Sequence, residues 1–260
     1  MIHYTFTYDD LIFFLLIFVR ISCCVFVVPF FSMNTVPMRL RAGLSFFISL
    51  LMYYVLSPHA AIPYHTVLGY SALVLKEAVT GFLIGFGVNL CTSILGFAGH
   101  VVDMEVGLSM ATLYDPATRE SVTLTGMFYQ YTIMLMLIIS GMYEYIIKAL
   151  AETFTLIPIT GAIFRSDHMV TSLIMFMTDY ITIGLRICLP VFVVIMILDA
   201  VLGIMAKVSP QLNMFAVGIQ LKLLVGLAVL FLTAAMLPKA SEMVFVEIRR
   251  MVVSFVEGMM

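Results

Sequence analysis

The chain reads as an all-α membrane protein of about six long hydrophobic helices arranged as helical hairpins. Three observations predict this. First, 63% of its 260 residues are hydrophobic and only 11% are charged, against roughly 45–50% and about 25% in soluble domains. Second, mean hydropathy is +1.13, more apolar surface than a soluble fold can bury. Third, the apolar residues fall in continuous runs, whereas a membrane β-barrel shows alternating segments of about ten residues.

The first run, Leu11–Phe31, contains Arg20 and closes at Pro29. A loop at Ser32–Arg41 carries Pro37, Arg39 and Arg41, and the second run, Ala42–Ser57, is short for a span of about 20 residues. Pro58 and Pro63 mark a loop before the third run, Val67–Gly99, which contains Lys76 and Glu77. A polar segment at 104–121 interrupts the pattern. The fourth run is Val122–Ile147, and 148–168 reads as a mixed loop. The fifth, Met169–Ala206, carries Asp179, Arg186, Pro190 and Asp199, with a proline kink expected at Pro190. Ser209-Pro-Gln-Leu-Asn213 breaks it before the sixth run, Met214–Leu237, which holds Lys222. In the tail, Pro238–Met260, Glu247, Arg250, Ser254 and Glu257 recur at helical spacing. They predict one polar stripe on an amphipathic helix that lies at an interface or against a partner. The acidic N-terminal flank, Asp9 and Asp10, is unlike a signal peptide.

Orientation does not follow from the loops, because lysine and arginine counts favour neither side. The net charge of -2 gives no field for nucleic acid. Cys23, Cys24, Cys91 and Cys188 sit in apolar runs without metal-ligand spacing and read as small buried hydrophobes. His100, Asp103 and Glu105 form an H-x-x-D-x-E cluster that matches no standard metal motif, and no nucleotide loop or nucleophile motif appears. The chain is therefore read as no enzyme, with no cofactor.

Charges within apolar runs cost roughly 2.5–3.5 kcal/mol at a helix centre and need partners or water. One pairing is derivable. Asp199 lies eleven residues before Pro210 and Lys222 eleven after Gln211. In a helical hairpin both would stand roughly 16 Å from the turn, at matching depth. Asp179 and Arg186, seven apart, can share a face. Gly81-Phe-Leu-Ile-Gly85 predicts close helix contact with an unspecified neighbour.

Two stretches carry a family resemblance: Gly107-Leu-Ser-Met-Ala-Thr-Leu-Tyr-Asp-Pro-Ala-Thr118 and Leu202-Gly-Ile-Met-Ala-Lys-Val-Ser-Pro-Gln-Leu-Asn-Met-Phe215. With Pro29-Phe-Phe, Val36-Pro-Met-Arg39 and Gly218-Ile-Gln-Leu-Lys222, in the same order over nearly the whole chain, they resemble the flagellar biosynthetic protein FliR family. This is the R subunit of the type III export gate, related to the equivalent virulence subunits. The resemblance implies a hetero-oligomer with FliP and FliQ, working with FlhB and FlhA, through which unfolded flagellar proteins pass. It implies a multi-pass protein of the bacterial inner membrane at the flagellar basal body. It also implies a P-subunit-like part (1–168), a Q-subunit-like hairpin (169–237) turning at Pro210, Gln211 and Asn213, and the tail 238–260.

In the same family the segment matching 104–121 belongs to the plug that closes the pore, which singles out Gly107, Ser109, Met110, Thr112, Asp115 and Pro116. Gly107 and Pro116 are the expected bending points. The first alternative is the equivalent virulence type III secretion subunit, and behind it stands a secondary transporter built around Asp179, Arg186, Asp199 and Lys222. It would show two related halves with paired broken helices, and only one broken hairpin is visible. A poreless membrane scaffold would leave the polar segment unexplained.

Overall fold

The computed structural model describes residues 7–33, 36–56, 66–110, 112–115, 120–209 and 214–260, with side chains undescribed at 110–121 and 211–216. Among the described residues the order is α1 (Tyr8–Val27), α2 (Met38–Val55), α3 (Val67–Val106), a 3-10 turn (Leu108–Met110), β1 (Thr112–Asp115), β2 (Glu120–Thr123), α4 (Leu124–Ile139), α5 (Met142–Leu156), α6 (Ser166–Val208), α7 (Met214–Thr233) and α8 (Leu237–Glu257). The chain is all-α apart from this two-stranded ribbon, as its continuous apolar runs require.

Several boundaries differ from the sequence reading. The third run does not stop at Gly99. α3 continues to Val106, so the histidine–carboxylate cluster lies on a helix. The fourth run is two helices bent by 66°, because Gly141 takes a left-handed φ of +77° that only glycine adopts freely. Much of the expected loop 148–168 is α5. Pro190 lies inside an uninterrupted helix of 43 residues. Among the described residues, four helical stretches are long and apolar enough to cross a membrane: Tyr8–Val27, Val67–Val106, Ser166–Val208 and Val217–Glu257. The bent α4–α5 pair makes a fifth. α2 is not among them, with Arg39 and Arg41 in its first turn. It buries Ser45, Ser49 and Tyr53 and exposes Phe46, Phe47 and Leu51, the pattern of a helix whose small residues face protein and whose large ones face lipid or another subunit.

The chain divides into two compact units. The first comprises residues 1–90, 143–174 and 248–260. Here Phe14 meets Phe46 edge-on at 5.5 Å between centroids, tying α1 to α2. The paired glycines find their neighbour: a Cβ on Gly81 would stand 2.0 Å from the Arg20 carbonyl oxygen, and one on Gly85 would stand 2.8 Å from that of Cys24. α3 therefore lies directly on the α1 backbone. The C-terminal part of α8 is fixed inside this unit. Phe255 and Met251 pack on Gly87, Ser254 bonds Ser172 at 2.6 Å, and the amides of Ile163 and Arg165 donate to the carbonyls of Met259 and Gly258.

The expected polar stripe of the tail is thus divided. Ser254 faces a protein partner, Glu247 is buried, and Arg250 and Glu257 remain exposed. The helix buries Ile248, Met251, Val252 and Phe255 within its own chain instead of reserving that face for an interface.

The second unit comprises 91–142 and 175–247. Ile94, Ala98, Val102, Ile133, Leu137, Val191 and Ile195 form its buried apolar centre. Gly99 and Gly126 bring α3 and α4 into backbone contact, and a Cβ on Gly99 would lie 2.2 Å from the Gly126 Cα. Gly184 receives the Phe97 ring and Gly226 the Val106 side chain in the same manner.

Candidate functional site

The polar segment at 104–121 is built from two devices. α3 ends at Val106, where Gly107 adopts φ +89° and donates its amide to the Asp103 carbonyl at 3.1 Å. After the 3-10 turn, β1 and β2 pair antiparallel, with Thr112 opposite Thr123, Leu113 opposite Val122, Tyr114 opposite Ser121 and Asp115 opposite Glu120. Strand pairing satisfies backbone groups that an irregular loop would leave open. The expected irregular segment is therefore a short ribbon hung between two helices. Pairing two strands with each other leaves the groups on their outer edges to be satisfied elsewhere, and hydrocarbon cannot do so. Protein or water must border it.

Gly107 and Ser109 are exposed. Thr112 and Asp115 stand at the two ends of β1, and Met110 closes the 3-10 turn. Pro116 falls outside the described residues, as do Pro210, Gln211 and Asn213 of the hairpin turn.

The ribbon is anchored by Asp103. This fully buried carboxylate on α3 accepts the Thr125 amide at 2.8 Å and also the Thr125 hydroxyl. It thereby caps the first turn of α4, where backbone donors have no intrahelical partner. Thr123, in the ordinary capping position, makes no side-chain cap. The sequence placed Asp103 in the H-x-x-D-x-E cluster, but its task is to fix α4 at the point where β2 enters it. His100 turns back to the Gly96 carbonyl at 2.7 Å. Asp103→Ala strands two buried donors and is expected to lower stability by about 1–3 kcal/mol. Thermal unfolding followed by circular dichroism in detergent checks this. A wild-type midpoint would remove Asp103 from the role.

The charges within the apolar runs separate into distinct groups. Lys222 Nζ lies 2.7 Å from Asp199 Oδ1, the pair expected from equal spacing about the Pro210 turn. Asp179 has a partner of its own. Arg186 lines a cavity of about 250 Å³ beside Pro190. The four charges do not gather around one polar centre.

A stronger charged cluster, which sequence spacing did not connect, lies in the first unit. Arg20 Nε donates to Glu77 Oε2 at 2.6 Å, with both side chains fully buried. Arg20 Nη1 donates to the carbonyls of Ile157 at 3.0 Å and Thr153 at 3.3 Å, near the end of α5. Its guanidinium carbon stands 4.4 Å from the Phe154 ring centre, a cation–π contact. The second Glu77 oxygen accepts the Thr160 amide at 2.8 Å, and the neighbouring Lys76 donates to the Thr160 carbonyl at 2.9 Å. Thr160 has φ +74°, a conformation unfavourable for a β-branched residue. Two adjacent α3 side chains grip it from both sides. The guanidinium fork suits such a task, with several rigid donors on one plane. No sequence interval linked Arg20, Glu77 and Thr160. The only hint was that Arg20 and Glu77 each stood in an apolar run.

Comparison with known proteins fits this architecture. The profile of the bacterial export proteins, family 1, matches residues 11–248. The flagellar biosynthetic protein FliR of Bacillus subtilis is 29% identical over 222 residues, 84% of each chain. That of Pectobacterium carotovorum is 27% identical over 231 residues, 89% of this chain and 87% of its own. The surface presentation of antigens protein SpaR of Shigella sonnei is 22% identical over 163 residues, covering 63% of this chain and 62% of its own. The match spans α1 to α8 and includes both stretches that carried the sequence resemblance, so this chain is a membrane-integral member of the bacterial export proteins, family 1.

Proposed function

We propose that the chain is the R-type subunit of a flagellar type III export gate. In this reading it joins P- and Q-type subunits in the inner-membrane pore of the basal body. It works with FlhB and FlhA, and unfolded flagellar proteins cross through it. Residues 104–121 contribute to the plug. Residues 1–168 act as the P-like part and 169–237 as the Q-like hairpin.

The observation that carries the plug is the ribbon β1–β2, the one strand pairing among the described residues. A two-stranded ribbon with open edges has no place in lipid, but it can rest against neighbouring subunits when a pore is shut and face water when it opens. Helix length supports the assembly. α3 has 40 residues and α6 has 43, about 60–65 Å of helix against a hydrocarbon layer of about 30 Å. In the most apolar window of α6 only 22% of residues are buried within this chain, and in that of Val217–Glu257 only 11%. A bilayer cannot cover so much apolar helix alone, and partner subunits would cover the rest. The greater identity and coverage of the flagellar relatives favours flagellar over virulence export.

The test has two steps. Tagged chain extracted from native membranes in mild detergent is expected to bring P- and Q-type subunits with it, identified by mass spectrometry. Deletion of residues 107–118 in an assembly that still forms is then expected to make the membrane leak small ions. Recovery without such subunits, from a preparation that keeps other complexes intact, would defeat the gate reading. A tight membrane after the deletion would defeat the plug.

A further inference from the structure

The cavity beside Arg186 is chemically distinct from everything used so far. It belongs to the second unit, holds about 250 Å³, and is lined by Arg186, Pro190 and Ile187 of α6, Tyr129 of α4, Thr233 of α7 and Lys239 of α8, among others. Two cations line it and no carboxylate does. Neither Arg186 nor Lys239 forms an ion pair among the described residues. Both are exposed at its mouth. Tyr129, a residue only 2% exposed, lines the same cavity and adds a phenol to the two cations.

The remaining lining is apolar. A second cavity, of about 570 Å³, is built on the same helices: Leu124, Phe128 and Tyr131 on α4 face Leu227 and Phe231 on α7. Phe128 precedes Tyr129, and Ala234 of the second cavity follows Thr233 of the first. A cationic, hydroxyl-bearing mouth therefore stands next to an oily groove on candidate membrane spans. We propose that these two cavities form a binding site for one anionic phospholipid, with its phosphate between Arg186 and Lys239, a phosphate oxygen on the Tyr129 hydroxyl, and an acyl chain along the groove.

The chemistry selects this ligand on three counts. Guanidinium and ammonium together suit a phosphate, the first as a fork and the second as a point charge. Basic pockets between membrane helices recognise anionic head groups. A free phosphate would fill the mouth but leave the groove empty, and a neutral lipid would fill the groove but leave two cations unanswered. Bound there, the lipid would bridge α4, α6, α7 and α8, the helices that meet at this site.

The test uses the full chain, with whatever subunits co-purify, stripped of endogenous lipid. Native mass spectrometry follows retention of phosphatidylglycerol against phosphatidylcholine with identical acyl chains. Phosphatidylglycerol is expected to be held about tenfold more strongly, and the R186Q/K239Q chain is expected to lose that preference. Y129F should weaken retention by about threefold, a single hydrogen bond's share. K148Q, at an exposed lysine far along the sequence, should change nothing. Equal retention of the two lipids by wild-type chain overturns the proposal even if no variant folds. A preference that survives R186Q/K239Q overturns the placement. Displacement of the lipid by millimolar inorganic phosphate would reduce the site to a plain anion pocket and overturn the lipid assignment.

Discussion

Replacing Arg20 by methionine is expected to destabilise the protein by about 3–5 kcal/mol, the usual penalty for leaving one member of a buried ion pair alone. Few single changes cost so much when a whole domain is stable by roughly 5–15 kcal/mol. The reason is the fully buried Glu77 carboxylate, whose partner at 2.6 Å would vanish. The α5 carbonyls of Thr153 and Ile157 would lose the same donor. Adding Glu77→Gln to Arg20→Met should return much of the loss, because glutamine is neutral yet its amide oxygen can still accept the Thr160 amide. Thermal melts of the purified chain in detergent compare wild type, single and double variants. If the single variant melts like wild type, or the double variant is worse than the single, the ion pair is not what holds α1, α3 and α5 together. Arg20 Nη2 has no acceptor among the described residues. The cluster therefore depends on its remaining bonds and has little spare capacity.

The second large effect concerns two glycines one turn apart on α3. Gly99→Ala is expected to cost about 1–3 kcal/mol, the range for forcing extra atoms into a packed interior. Its new methyl would meet the Gly126 Cα at 2.2 Å and the amide nitrogen at 2.4 Å. These are backbone atoms that no rotamer change can move. Gly96→Ala is the internal control, with nothing within 4 Å of the added carbon. It should stabilise α3 by roughly 0.5–1 kcal/mol, since alanine loses less entropy than glycine in a helix. The two variants have the same composition and opposite expected signs. Measuring unfolding midpoints for both decides the matter. Equal shifts would mean that helix propensity, and not the contact with α4, governs this position.

Sequence reasoning reached the structure where one local rule sufficed. Asp199 and Lys222 could be matched because both are counted from one turn, so their depth followed from helical rise alone. Gly81 and Gly85 announced a close contact, but their neighbour α1 could not be named, because small-residue spacing describes one surface only. Arg20, Glu77 and Thr160 lay beyond reach. They are 57 and 83 residues apart in successive steps, and no periodicity spans such gaps.

The break at Gly141 was hidden because Ser140-Gly141 sits within a run whose composition suits one helix, while the decisive fact is a backbone angle. The extension of α3 to Val106 was missed for the opposite reason. Asp103 and Glu105 look like loop residues until Asp103 is seen turned inward to cap α4. The ribbon was illegible because strands of four residues are too short for alternation to emerge, and its pairing is a property of two strands together.

The Arg20 cluster also constrains how the protein can be made. Arg20 emerges from the ribosome 57 residues before its carboxylate partner and 137 before Ile157, its last acceptor. During that interval α1 carries an uncompensated cation, which opposes its entry into lipid by roughly 2.5–3.5 kcal/mol if the cation lies near the centre of the bilayer. α1 therefore carries this cost until α3 supplies Glu77 and α5 its carbonyls. The cluster closes only after α5 has been made, so the packing of the first helix is completed by segments synthesised well after it.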